Sequence, residues 1–269
     1  MTTVQLYPGA LPQRLQALGW RRPVYVRGQL AEGSAVAIVG ARAATAQGMG
    51  RAHALARHLA GDGVHVVSGG ALGIDGAAHR GALAAGGEKG GTPPAMIGGT
   101  TAVLGSGLDI AYPARHAPLF DQIVARGGAL AGLLPDGTHP RRGTFVARNP
   151  LIAALADVVI VVEAELGSGS LSTAAAGARF GRVVAAWPGS PGCDRLLARG
   201  AAVVESSDDV DRALRGEPRF VPPPVRDPAA DQVAQALRAG ACGIDQIVRH
   251  TGLPVRDVLR VLPTLERLQ

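Results

Sequence analysis

Apolar residues in this chain follow two alternating patterns, which predict strands and helices in turn. Residues 36–40 (VAIVG) form a continuous apolar run that enters a glycine turn, and in residues 48–60 the apolar positions recur at helical spacing. Such a run followed by a helix is typical of a buried parallel strand in a βα unit. The pattern recurs, with strands predicted at residues 64–68, 101–104, 157–162 and 182–186. Five such strands separated by helical segments predict an α/β fold with a doubly wound parallel sheet.

Composition divides the rest of the chain. Residues 1–34 precede the first strand and are predicted to pack, as an N-terminal extension, on the core of a main domain that spans residues 35–211. Residues 86–100 are rich in glycine and proline and lack periodicity, which predicts a flexible surface excursion. Residues 212–228 are charged and proline-rich, which is typical of an extended linker between domains.

Beyond the linker, residues 229–269 contain three short segments of helical spacing, at residues 229–238, 243–251 and 254–268. The turn at residues 251–254 gives the last two segments helix-turn-helix spacing. We therefore predict a small, all-α, winged-helix-like domain in this part of the chain.

Composition also narrows the class of protein. The formal net charge of +6 would attract polyanions. Nearly all of this charge is arginine, with Lys89 the single lysine. Because an Ala-, Gly- and Arg-rich composition also follows from genomic base composition, charge alone does not decide for nucleic acid.

Two cysteines, Cys193 and Cys242, are too few for a disulfide framework or a four-ligand zinc site, which fits a reducing cytoplasm. The sequence has no export signal and no apolar run of about 20 residues, so we expect neither export nor a membrane span.

Glycine-rich turns follow four of the predicted strands, at residues 40–42, 68–75, 105–109 and 167–171. In a parallel α/β sheet, ligands lie outside the carboxyl ends of the strands, where glycine lets the backbone approach and helix N-termini present free N–H groups. Four such turns at one edge predict an anion site. Arg42 could clasp a phosphate there through two parallel hydrogen bonds, and an ordinary surface arginine is the alternative.

Residues 140–149 (PRRGTFVARN) combine three arginines, an aromatic ring and an amide. This combination is typical of a site for single-stranded nucleic acid, because arginines can follow the backbone while a ring such as Phe145 stacks a base of any kind. Core packing is the alternative role for Phe145.

The sequence gives little support for cofactor-dependent, phosphate-loop or metal-dependent enzymes. The turn at residues 68–75 approaches the dinucleotide fingerprint, but it follows the second strand and no acidic residue ends the next strand, which argues against nicotinamide and flavin cofactors. The sequence contains no phosphate-loop motif. His79 follows Asp75 by four residues without a further ligand at metal-binding spacing, which favours a structural pair. Asp75, Asp109 and Glu163 are candidate acid–base groups, with helix capping or loop orientation as the favoured alternative.

Taken together, these motifs resemble those of the DprA/Smf family, the DNA-processing proteins of bacterial natural transformation, over roughly residues 7–210. The motifs stand in the order of the family. They are PVYVRG (23–28), VGAR (39–42), SGGALGID (68–75) with Ala78-His79, AVLGSGLD (102–109) with Tyr112-Pro113, Arg148-Asn149, SGSL (168–171) with Thr173-Ala174, and Pro188-Gly189 with Gly192-Cys193.

The resemblance implies an extended Rossmann-like domain that binds and protects single-stranded DNA, forms a homodimer, and helps load a RecA-type recombinase onto strands covered by single-strand-binding protein. It implies no catalysis, cofactor or metal. Carried over by motif, the positions that would bind DNA are Gly40, Arg42, Gly69, Gly70, Ala71, Arg142, Phe145, Arg148, Asn149 and, as a looser match, Arg182.

The chain departs from the family pattern in several places. Leu133 follows Gly132 where relatives usually show Ser-Glu, and Pro150 stands where they show an arginine, which removes a positive charge at the groove. His116 and Asp194 stand where asparagine is usual.

We therefore expect a cytoplasmic recombination mediator that binds single-stranded DNA and acts in natural transformation. Two alternatives use the same fold. The first is a nucleotide N-glycoside hydrolase with Asp75 or Glu163 as the acid–base group, although the acidic Pro-Gly-Gly-x-Gly-Thr signature of such enzymes is missing. The second is a sensor that binds a small nucleotide and signals through residues 229–269.

Overall fold

The computed structural model describes residues 2–85, 99–220 and 228–266. Its strands are β1 (Val4–Leu6), β2 (Val24–Gly28), β3 (Ala35–Val39), β4 (His65–Gly69), β5 (Thr100–Leu104), β6 (Ala129–Gly132), β7 (Val158–Val161), β8 (Val183–Ala186) and β9 (Ala202–Val203). Its helices are α1 (Gln13–Ala17), α2 (Ala46–Gly61), α3 (Ile74–Ala84), α4 (Ala117–Ala125), α5 (Arg142–Ala154), α6 (Gly169–Arg179), α7 (Pro191–Leu197), α8 (Ser207–Leu214), α9 (Pro228–Arg238), α10 (Ile244–Thr251) and α11 (Val255–Glu266).

The nine strands form one sheet in the order β1-β2-β6-β5-β4-β3-β7-β8-β9. The five strands predicted from the sequence lie side by side and are parallel, with Ala37 opposite Val67 on one side and opposite Val159 on the other. The expectation for residues 1–34 was incomplete, because this extension adds two strands to the sheet. In this part of the sheet, β1 pairs with β2 and β2 pairs with β6 in antiparallel fashion.

Both faces of the sheet are covered, which confirms the doubly wound α/β class. Successive residues of β3 face opposite sides, as the two-residue period of a strand requires. Ala35, Ala37 and Val39 pack in the core beneath α1, α5 and α6, whereas Val36 and Ile38 pack in the core beneath α2, α3 and α8. All five residues of β3 are therefore buried, which explains the unbroken apolar run.

Arg14 ties the N-terminal extension to the sheet. Its Nη1 donates to the carbonyl oxygen of Leu155 at 2.7 Å and lies 3.6 Å from an oxygen of Asp157, and its Nη2 donates to the carbonyl oxygen of Gly33. The extension is thus anchored at the amino edge of the sheet, away from the carboxyl ends of the central strands.

The chain divides into two compact units, Met1–Val221 and Pro222–Gln269. Helix α8 continues to Leu214, so the first residues of the predicted linker are helical, and Phe220 forms a β-bridge with Ala202. Residues 221–227 of the linker and residues 86–98 of the predicted excursion lie outside the described residues, and Thr100 at the end of that excursion already belongs to β5.

The three helices of the second unit match the three segments predicted from spacing. They enclose a small core of Val233, Ala236, Ile247, Val258 and Val261, with Ala229 at its margin. Helix α10 is capped by Gly252, whose φ of +71° is a conformation that glycine adopts without steric cost. In the described parts of the chain, no helix combines the length and apolar character needed to cross a membrane.

Candidate functional site

A cleft of about 580 Å³ opens at the carboxyl edge of the sheet. Its walls are the turns after β3, β4 and β7 together with α5. Of the ten positions carried over by motif, seven line it directly: Gly40, Arg42, Ala71, Arg142, Phe145, Arg148 and Asn149. Tyr112 and Arg141 also line it, and the sequence analysis did not single them out.

The mouth of the cleft carries an aromatic and cationic cluster. The guanidinium carbon of Arg42 lies 5.0 Å from the centre of the Phe145 ring, which is within the range of a cation–π contact. The ring of Tyr112 lies 5.3 Å from that of Phe145, tilted by 42°. Phe145 therefore belongs to the cleft wall and not to the core. A smaller hollow of about 90 Å³ adjoins it, lined by the same three side chains and by Leu72 and Leu104.

Arg148 lies at the floor of the cleft and is 5% exposed. Among the described residues, its Nε and Nη1 atoms have no hydrogen-bond partner, and its Nη2 lies 4.0 Å from Oδ2 of Asp75. Burial lowers the pKa of the Arg148 guanidinium to about 10, and the Asp75 carboxylate opposes this shift. The side chain is thus a buried cation at neutral pH without a hydrogen-bonded counter-ion.

The turn after β4 gives this guanidinium its space. A Cβ atom added to Gly69 would lie 2.3 Å from both terminal nitrogens of Arg148 and from Oδ2 of Asp75. Gly69 is buried, so it shapes the cleft without lining it. The neighbouring Gly70 lines only the smaller hollow.

Two histidines behind the turn hold its carbonyl groups. Nε2 of His79 lies 2.8 Å from the Gly69 carbonyl oxygen, and Nδ1 of His116 lies 3.1 Å from that of Gly70. Because the C=O and N–H of a trans peptide point in opposite directions, the N–H of Ala71 is directed away from His116. It donates to Oδ2 of Asp75 at 3.3 Å. His79 is therefore a structural group, and burial lowers its pKa to about 4.

Asp75 shares the cleft floor with Arg148. Burial raises the pKa of its carboxyl group, and the positive charge of Arg148 opposes that shift. The other two candidate acid–base groups are occupied by loop contacts. Glu163 accepts hydrogen bonds from the backbone N–H and hydroxyl of Thr45 before α2, and Asp109 accepts one from the N–H of Gly137.

Asn149 links α5 to the beginning of α6. Its Nδ2 donates to the carbonyl oxygen of Gly169 at 3.1 Å and to Oγ of Ser172 at 2.6 Å. Pro150 follows inside α5 and is not among the residues that line the cleft.

Three of the predicted positions do not line the cleft: Gly69 and Gly70 lie in the turn beside it, whereas Arg182 lies at another edge of the sheet. It precedes β8 and therefore lies at the amino edge of the sheet, where its Nη2 donates to the carbonyl oxygen of Ala154. Within the described residues, no group of three metal-binding side chains is present.

Two family models, both of DprA proteins, match nearly the whole chain. The model of the family described as DNA recombination-mediator protein A matches residues 5–215, and that of the DprA winged helix domain matches residues 217–266. A putative DNA processing protein DprA of Mycobacterium tuberculosis is 45% identical over 247 residues, which cover 86% of this chain and 60% of that protein. Protein Smf of Escherichia coli is 32% identical over 281 residues, which cover 97% of this chain and 71% of that protein.

The solved structures that are similar to the chain include those of two DprA proteins. DprA from Streptococcus pneumoniae superposes with a TM-score of 0.69 at 31% identity, covering 82% of this chain and 76% of that one. DNA processing protein A from Helicobacter pylori, whose structure was described for its single-stranded DNA binding mode, superposes with a TM-score of 0.67 at 28% identity, covering 81% of this chain and 98% of that one.

Proposed function

Since this chain belongs to the DNA recombination-mediator protein A family, the DprA/Smf proteins, we propose that it binds single-stranded DNA in the cleft at the carboxyl edge of its sheet. The Helicobacter pylori relative, which is described as binding single-stranded DNA, supports this ligand.

The observation that carries the proposal is the buried guanidinium of Arg148. A buried charge without a hydrogen-bonded partner is costly, and a bound anion offsets that cost. A phosphodiester in the cleft that Arg148 lines would supply such an anion beside this guanidinium, whose other negative neighbour is the Asp75 carboxylate at 4.0 Å. Exposed Arg42, Arg141 and Arg142 line the same cleft and provide further phosphate contacts.

The aromatic side chains at the mouth explain why the strand would be single. Phe145 and Tyr112 offer ring faces to a base, and a base can stack on them only when it is unpaired. Stacking of this kind depends little on base identity, so we expect weak sequence preference.

We extend the proposal to the role of the family in natural transformation. The protein would protect incoming single-stranded DNA in the cytoplasm, act as a homodimer, and help a RecA-type recombinase replace single-strand-binding protein. We also propose that no bond in the DNA is broken, because all three candidate acid–base carboxylates accept hydrogen bonds from loop groups.

Fluorescence anisotropy of labelled single- and double-stranded oligonucleotides across a salt series tests the proposal. We expect preference for the single strand, and affinity that falls as salt rises. Phe145→Ala should weaken binding by roughly 1–3 kcal/mol through lost stacking. Arg42→Ala should also weaken binding and should make the plot of log K against log salt shallower by about 0.7, the value for one lost phosphate contact.

Arg199→Ala is the matched control, since it removes the same charge from an exposed position outside the cleft. Failure of both forms of DNA to bind above background would contradict the proposal. If mononucleotides alone raised the unfolding temperature in that case, the nucleotide-sensor alternative would take its place.

A further inference from the structure

Charge is distributed unevenly along the carboxyl edge of the sheet. On the side of β7, β8 and β9, exposed carboxylates follow each strand. Of the arginines nearby, Arg219 is paired with Glu205 and Asp209, Arg51 lies over the ring of Trp187, and Arg195 is exposed on α7 next to Asp194. The exposed carboxylates on this side are Glu165, Asp194, Glu205 and Asp208. A polyanion leaving the cleft in this direction would meet more carboxylates than arginines.

The side of β4 and β5 has a different character. Arg115, in the short 3-10 helix Ala114–His116, and Arg80, on α3, are both exposed. Burial lowers the pKa of His116, and the positive charges of Arg80 and Arg115 lower it further. Both guanidinium groups therefore act on the same ring. Arg80 also lies close to Gly76, where an added Cβ would be 3.3 Å from its Nη1. Within the described parts of the chain, neither arginine forms an ion pair.

The carboxylates on this side are engaged by loop groups. Asp109 accepts the N–H of Gly137, and Asp136 accepts the N–H of Leu108. These two exposed carboxylates are matched in number by Arg80 and Arg115, so charge is balanced on this side, whereas carboxylates are in excess on the side of β7, β8 and β9.

Tyr112 connects the cleft to these arginines. It lines both the cleft and the smaller hollow, is 49% exposed, and precedes Arg115 by three residues. The hollow beneath it has apolar walls that include Leu72, Leu104 and Pro113. A ring beside an apolar hollow suits a nucleobase, and the arginines beyond it suit the phosphates that follow.

We propose that the single strand leaves the cleft over Tyr112 and continues along Arg115 and Arg80, on the β5 side of the sheet edge, and not toward β8 and β9. This inference rests on the proposed binding of single-stranded DNA. It assigns a second, peripheral contact region to a strand that is longer than the cleft.

Oligonucleotides of different length distinguish contacts in this region from contacts in the cleft, because only a long strand can reach both. Anisotropy is measured for labelled oligothymidylates of about 5 and about 20 nucleotides, short and long relative to typical single-strand site sizes. The double variant Arg80→Ala/Arg115→Ala should bind the long strand about tenfold more weakly, with a salt slope shallower by about 1.4 for two lost phosphate contacts. Its affinity for the short strand should not change.

The matched control removes the same two charges on the other side. Arg195 and Arg199 are exposed on α7 and in the turn that follows, and the double variant Arg195→Ala/Arg199→Ala should bind both lengths like the natural protein. Arg80→Gln/Arg115→Gln, together with thermal unfolding of each variant, excludes a loss of fold as the cause.

Three results would overturn the inference. The first is a long-strand defect in the Arg195/Arg199 variant but not in the Arg80/Arg115 variant, and the second is unchanged long-strand binding in both. The third is an equal loss for short and long strands in the Arg80/Arg115 variant, which would mean that these arginines act on the cleft itself. Absence of binding by the natural protein would instead reject the proposed function.

Discussion

At the scale of single residues, the floor of the cleft depends on Gly69. We expect Gly69→Ala to displace the guanidinium of Arg148 and the carboxylate of Asp75, because the added methyl group would occupy their space. Overpacking of this kind costs about 1–3 kcal/mol of folding free energy. Affinity for single-stranded DNA should fall with it, by about tenfold if one charge-assisted contact is lost.

Gly50→Ala on α2 is the control, since a Cβ there meets nothing within 4 Å. It should stabilise the protein by roughly 0.5–1 kcal/mol and leave DNA binding unchanged. Urea unfolding and anisotropy of the two variants give both quantities. A Gly69→Ala protein that binds DNA like the natural chain would show that the position of Arg148 is unimportant.

The sequence predicted most residues of the cleft, but not how each is used. Arg148 and Asn149 were singled out as DNA contacts, whereas their burial depends on how α5 packs against the sheet and α6, which no local pattern reveals. Tyr112 was quoted within a motif without a role, because its contact with Phe145 joins segments 33 positions apart. Arg182 was misplaced because a motif fixes a position along the chain and not the edge of the sheet on which it falls.

At the scale of elements, two buried histidines join β4, β5 and α3. Nε2 of His65 lies 2.8 Å from Oγ1 of Thr101, and Nδ1 of His79 lies 2.8 Å from Oγ1 of Thr100. Burial lowers the pKa of each to about 4, with the charge of Arg14 adding to the effect on His65. Both side chains are therefore neutral in the folded protein at pH 6.

This neutrality predicts loss of stability in mild acid. Below pH 6.5 the unfolded chain takes up protons on these histidines and the folded chain does not, so the free energy of unfolding falls as pH drops from 6.5 toward 4. The slope is about 1.4 kcal/mol per pH unit for each histidine. Asp75, whose pKa is raised, acts with the opposite sign, so the test compares variants.

Urea unfolding at several pH values should give His65→Gln a slope that is smaller by one proton than that of the natural protein. His139→Gln, at an exposed position, should keep the natural slope. Equal slopes for His65→Gln and the natural chain would contradict the assignment of a neutral His65.

The strands that the sequence analysis missed carry too weak a hydrophobic pattern to be recognised. Strands β1 and β9 have three and two residues, too few for a period to show. In β2 the buried Val24 and Val26 alternate with half-buried residues, and its partner β6 (ALAG) lies about a hundred positions away and contains only one large apolar residue. The five central strands were predicted because each contains a run of apolar residues, and in β3, β4, β5 and β7 every residue is buried.

At the scale of the whole molecule, every residue of the cleft belongs to the unit Met1–Val221. A protein ending at Val221 should therefore bind a short oligonucleotide with the affinity of the full chain, within about twofold, as expected for independent parts. Anisotropy of the two proteins measures this, with circular dichroism to verify that the shorter one folds. A tenfold loss would assign part of the binding energy to the second unit.

The formal charge of +6 also takes its meaning only from the three-dimensional structure. From the sequence it was compatible with base composition alone, because arginines are scattered along the chain. The fold gathers Arg42, Arg141, Arg142 and Arg148 in one cleft and leaves carboxylates on the neighbouring part of the same edge. The distribution of charge along the sheet edge, and not the net charge, would therefore determine where a strand binds.

The buried guanidinium of Arg148 has the Asp75 carboxylate, 4.0 Å away, to offset its charge, and burying such a pair costs folding free energy. Replacing Arg148 and Asp75 together by apolar side chains would remove both buried charges and should raise the melting temperature while removing the anchor for an anion, whereas replacing Arg148 alone would leave the carboxylate of Asp75 buried without its cation. Stability and binding thus oppose each other at this single site. Drift under selection for stability alone would replace the Arg148–Asp75 pair, so the presence of this pair in a relative serves as a marker that the cleft is still in use.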